Sequence, residues 1–113
     1  MGLEIIKEVY KKKSEDREHL RKKIIADAFK ALEKLHDEVS FVEAYIFGSA
    51  VKPYQFGEYS DIDFAFKGLD RDKLFYVVAF LSEYLNREVN VVHVEDIHFK
   101  DKIIREGIKW RKE

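Results

Sequence analysis

Apolar residues at Leu20, Ile24, Ala28, Ala31 or Leu32, Leu35 and Val39 recur every three to four positions, the spacing of one helix face. No Gly or Pro interrupts the chain from Leu3 to Glu38. Ser14, followed by Glu15 and Asp16, can start this helix, because a Ser cap and early acids suit the positive helix end. Leu3 to Lys13 is also helical in pattern, either separate or continuous with it. Val42 to Phe47 is a short apolar run and predicts a buried strand. The loop after it, Lys52 to Tyr59, holds the only Pro of the chain and Gly57. Asp61 to Phe66 alternates and predicts a second strand, with Phe64 and Phe66 on the face opposite the two Asp residues. Lys67-Gly68 turns the chain. Asp70 can cap a helix carrying Leu74, Val77, Val78, Leu81 and Leu85. Glu88 to Val94, rich in Val, predicts a third strand, expected to be central. Ile97 to Trp110 is expected to close the chain as a helix. The order α-β-loop-β-α-β-α predicts an α/β (α+β) fold, a small mixed sheet of three or four strands with helices on one face.

The chain has 113 residues, enough for one domain. That domain is expected to span 1–113, with an N-terminal helical segment at 1–40 and a core at 41–113. Lysine and arginine number 21 against 22 acidic residues, and this balance argues against a strong, unspecific nucleic-acid binder. The absence of cysteine excludes disulfides and thiolate metal sites. No run reads as a signal peptide or a membrane span, so a cytoplasmic location is expected.

Two short segments carry chemistry. Gly48-Ser49 follows an apolar strand, where backbone N–H groups at a turn or helix start can bind anions. Asp61 and Asp63 should point the same way from their strand, about 6–7 Å apart. Two carboxylates so placed repel each other unless a cation lies between them. An oxygen-only pair suits Mg²⁺, with Mn²⁺ as the alternative, and Mg²⁺ also takes substrate phosphates as ligands. A phosphate cradle beside such a pair is what nucleotidyl transfer from a nucleoside triphosphate requires.

Phe47-Gly48-Ser49, Ser60-Asp61-Ile62-Asp63, Val89-Asn90-Val91-Val92 and the tail Asp101 to Gly107 together resemble the nucleotidyltransferase superfamily of DNA polymerase β. The resemblance is strongest to its small stand-alone branch, the minimal nucleotidyltransferases, and covers roughly Val42 to Lys109. It implies catalysis around Asp61, Asp63 and the Asn90 position, metal at Asp61 and Asp63, and nucleotide phosphates at Gly48, Ser49, Lys52 and Ser60. It also implies a nucleoside triphosphate substrate and a helical HEPN-type protein partner, as in toxin–antitoxin pairs, where some members transfer AMP to a hydroxyl of the partner. A homo-oligomer is the other expectation for so small a chain.

The chain departs from the family pattern twice. Eleven residues separate Ser49 from Asp61, one more than usual in the family, and the extra residue is expected in the Lys52–Tyr59 loop. The position of the third metal carboxylate is Asn90. An amide offers one neutral oxygen and no charge, so the alternative reading is a catalytically weakened module that neutralises a partner by contact. A third reading is the catalytic subunit of a larger transferase. Glu88, two residues before Asn90, is a weak substitute because its reach spans a different part of the cleft. Lys11-Lys12-Lys13 reads as a solvated helix face. Tyr54, Phe56 and Tyr59 either stack on a base or partner, or pack the loop down.

Overall fold

The computed structural model describes residues 2–112. The chain opens with α1, Gly2–His36, a single helix of 35 residues. The segments before and after Ser14 are therefore continuous, because nothing between them breaks the backbone hydrogen bonding. Its buried side chains are Ile24, Ala28, Ala31, Leu32 and Leu35, the periodic stripe. The earlier part overhangs the body: Leu3 is 75% exposed and Tyr10 67%. At 1.5 Å per residue the helix is about 52 Å long, and it sets the 58 Å long axis of the molecule.

Four strands follow: β1 (Glu43–Phe47), β2 (Ile62–Lys67), β3 (Val89–His93) and β4 (Ile108–Trp110). Between β2 and β3 lies α2, Leu74–Leu85, and before β4 lies α3, Lys100–Glu106. The sheet order is β3-β2-β1-β4. β1 pairs antiparallel with β2 and with β4, whereas β2 and β3 run parallel across the α2 crossover. α2 stops at Asn86, which takes the left-handed conformation (φ +50°) while the Arg87 N–H reaches back to the Ser82 carbonyl.

Two expectations need correction. β3 is an edge strand, not a central one; its Val-rich character reflects packing on both faces. The terminal segment is not one helix. Gly107 ends α3, and Ile108–Trp110 leaves to pair with Ala44–Ile46 of β1.

The two long helices cover one face of the sheet. Ala44, Ile46, Ile62, Phe64, Phe66 and Val89 meet the α1 stripe and Val77 and Leu81 of α2 there. On the other face Tyr45 and Ala65 form a smaller cluster with Val94 and Ile103, the latter from α3. No described helix is long and apolar enough to cross a membrane.

Candidate active site

Strand register builds the site. Phe47 pairs with Asp63, and Asp63 with Asn90, so the three stand in one row across the sheet. Alternation places them on the face of Tyr45 and Ala65, away from the main core. Asp63 is half-buried and Asn90 exposed. The Asn90 amide donates from Nδ2 to Asp63 Oδ1 at 2.9 Å. A carboxylate can only accept, so the NH₂ end of Asn90 must face it. Asn90 therefore holds Asp63 in orientation and turns its carbonyl oxygen elsewhere.

β1 ends beside this row. Gly48 has φ +76° and opens a short 3-10 turn, Gly48–Val51. A Cβ on Gly48 would lie 2.3 Å from Asp63 Oδ2. The turn and the carboxylate thus touch, and only glycine leaves room for both. No side chain caps the start of the turn, so its first N–H groups lack a side-chain acceptor and are of the kind that can bind an anion.

The loop to β2 is tied down from two sides. Arg87 donates from Nη1 to the carbonyls of Ser60 (2.6 Å) and Gly57 (3.2 Å), and its guanidinium lies 4.8 Å from the Phe56 ring centre. Ser60 Oγ accepts from the Gly57 N–H at 2.9 Å. From α1, Glu18 accepts the Tyr54 N–H at 2.9 Å, while Arg21 pairs with Glu18 and donates to the Ala50 carbonyl at 3.2 Å. The Arg21 guanidinium, then the Tyr54 N–H, hold the Glu18 carboxyl down to about 2. Glu18 and Arg21 were invisible as site supports in the sequence, where Glu-x-x-Arg is an ordinary helix-surface pair.

Of the aromatic loop residues, Phe56 is fully buried in the core while Tyr59 is 92% exposed. Ser60 closes the loop through its hydroxyl. Lys52 is exposed on the rim of a small cavity of about 130 Å³ that also touches Gly48, Phe99 and Lys102. Asp61 stands one residue before β2 and lines a groove of about 370 Å³ with Ser60, Arg87 and Glu88. An open cleft of about 900 Å³ lies between the overhanging part of α1 and Gln55–Ser60. Lys102 belongs to the Asp101–Gly107 tail and Phe99 lies just before it, but nothing in the sequence pointed them at the turn.

Among the described residues no cluster of three or more His, Cys, Asp or Glu side chains could hold a metal. Asp61 and Asp63 are hard oxygen donors, the kind that suits Mg²⁺.

The family model for polymerase β nucleotidyltransferases matches residues 28–110. The chain belongs to that nucleotidyltransferase family. No curated protein matches it significantly in sequence. Solved structures share its fold. A toxin-antitoxin crystal structure with AMP-PNP is 22% identical at a TM-score of 0.61, covering 75% of this chain and 74% of that one. The toxin-antitoxin MntA-HepT is 20% identical at 0.56, with 77% and 72% covered. A protein from Sulfolobus solfataricus described as a nucleotidyltransferase is 21% identical at 0.53, with 88% of each chain covered. These are likenesses of fold. The family model bears out the resemblance to the polymerase β nucleotidyltransferases that the motifs carry.

Proposed function

We propose that this nucleotidyltransferase-family protein binds a nucleoside triphosphate with Mg²⁺ and transfers the nucleotidyl group to a hydroxyl of a protein partner. The observation that carries the reading is the contact between Gly48 and Asp63. A metal at Asp63 would lie beside phosphates held by the turn, with no side chain between them. Mg²⁺, when bound, supplies charge neutralisation for the triphosphate and the leaving pyrophosphate.

The residues of the chain position the rest. The Gly48–Val51 turn holds phosphates by backbone N–H groups, with Lys52 beside it. The acceptor oxygen attacks the α-phosphorus, the bond to pyrophosphate breaks, and the acceptor proton departs. In the row Phe47, Asp63, Asn90, only Asp63 can take a proton. Rate enhancement comes from positioning and electrostatics. The toxin–antitoxin assemblies of similar fold favour a toxin partner of the HEPN type, with this chain as antitoxin.

A second reading rests on Asn90. A neutral amide holds Asp63 where the family has a third carboxylate, which favours a weakened enzyme or a module that neutralises its partner by contact. The test is calorimetric titration of nucleoside triphosphates with and without Mg²⁺. It is followed by incubation with labelled triphosphate and any small helical protein encoded beside this one. The doubly substituted Asp61→Ala, Asp63→Ala protein should stay folded and lose Mg²⁺-dependent binding. Unchanged binding in that variant refutes the site. Binding without transfer to the partner selects the second reading.

A further inference from the structure

One cavity borders the Gly48 turn and another the loop beyond it, and they differ in kind. The cleft against α1 is open, about 900 Å³, and lined largely by polar loop and helix residues. The other cavity is about 130 Å³ and lies between the turn and α3. Its walls are mostly apolar: Phe47, Val51 and Ile103 line it, with Phe99 at its mouth. Lys52 and Lys102 stand on its rim. Drug-sized ligands need pockets of about 300–1,000 Å³. This cavity admits a single flat ring system and no more.

We propose that the small cavity is the nucleobase subsite, with Phe99 as the aromatic face against the base and Lys102 as an added phosphate contact. The assignment rests on the nucleotide reading of the Gly48–Asp63 site and extends it to α3. Three observations support it. The cavity shares Gly48 with the phosphate turn, so a base lodged there is joined to its phosphates over a short span. Its apolar walls suit a heterocycle's faces, while Lys52 and Lys102, against the single acid Glu106, leave its lining net positive for a triphosphate. Phe99 lines this cavity and is 41% exposed, so its ring is accessible to a ligand there. Stacking tolerates different bases, because every base has a π face.

The experiment compares Mg²⁺-ATP and Mg²⁺-GTP with Mg²⁺-tripolyphosphate by calorimetric titration of the full chain. In Phe99→Ala, affinity for the nucleoside triphosphates should fall about tenfold to a hundredfold, with tripolyphosphate unchanged. Phe99→Trp should restore nucleotide binding. Lys102→Ala should weaken all three ligands. If wild type binds the nucleotides and Phe99→Ala binds them equally well, the base lies elsewhere and the inference is overturned while the nucleotide reading stands. If Phe99→Ala loses tripolyphosphate as well, the residue supports the turn rather than a base, and the inference is again overturned. If wild type binds neither nucleotide nor tripolyphosphate, both fall together.

Discussion

Gly48→Ala separates folding from chemistry. The new Cβ would sit 2.3 Å from Asp63 Oδ2, closer than real contacts allow. The atom it meets is the end of a side chain, so Asp63 can swing away and break its hydrogen bond to Asn90. The backbone cannot respond so easily, because φ is +76°. A left-handed conformation costs an L-residue roughly 1–2 kcal/mol. The reduced freedom of the unfolded chain offsets about 0.4–1 kcal/mol of that. The net loss is on the order of 1 kcal/mol, worth about 4–8 °C in melting temperature for a domain near this size. Folding should survive while Mg²⁺-dependent nucleotide binding falls by far more than tenfold. Gly68 is the matched control, since its φ is +75° and its Cβ would meet Val42 rather than the site. Gly68→Ala should lose similar or greater stability and bind nucleotide as wild type does. Thermal melts and calorimetric titrations of the three proteins decide the matter. Wild-type affinity in Gly48→Ala would refute the argument that the turn and the carboxylate share one site.

Asn90→Asp replaces the 2.9 Å amide bond with two facing carboxylates; added Mg²⁺ should then bind more tightly, and any transfer should quicken about tenfold or more. Without metal the variant should melt lower at neutral pH and recover on acidification, because crowded carboxylates have raised pKa values and are relieved by protons; no gain in metal affinity or transfer would favour the contact module. Glu18 stabilises the fold above its ordinary value of 4.5, and that contribution should disappear as pH falls from 4.5 towards about 2. Glu18→Gln should therefore flatten the acid limb of the melting curve and speed proteolysis at Tyr54. Arg87→Ala leaves the Ser60 and Gly57 carbonyls without their donor and uncovers Phe56, so a loss of about 1–3 kcal/mol is expected in urea unfolding.

The elements with strong periodicity were legible in the chain itself. The Leu20–Leu35 stripe, the Asp61–Phe66 alternation and the α2 stripe all pack as their spacing dictates. The sequence set the Gly48-Ser49 turn near the Asp pair, but the direct approach of Gly48 to Asp63 required the strand register. What escaped depends on partners distant in sequence. β4 is three residues whose Ile108 fits a helical period equally well, and only pairing with β1 makes it a strand. The position of β3 at the edge follows from the crossover geometry, which a Val-rich run does not encode. The Asn90 amide was legible as a missing charge, but its role as donor to Asp63 required the register. Glu18 and Arg21 were illegible for the same reason, since their acceptors and donors lie some thirty residues on.

α1 is one helix with two mechanical regimes. From Ile24 onward it is clamped by the core; before Leu20 it is a cantilever whose own hydrogen bonds are its main support. Isolated helices shorter than about 12–15 residues are marginal in water, so the free end owes its order to the clamped end and should fray from the tip inward. Amide hydrogen exchange along α1 would then fall steadily from Lys7 to Leu35, from nearly unprotected to the protection of global unfolding. The pin at Glu18 and Arg21 marks where that gradient steepens, and it ties the rigidity of the loop between β1 and β2 to the fulcrum of the lever.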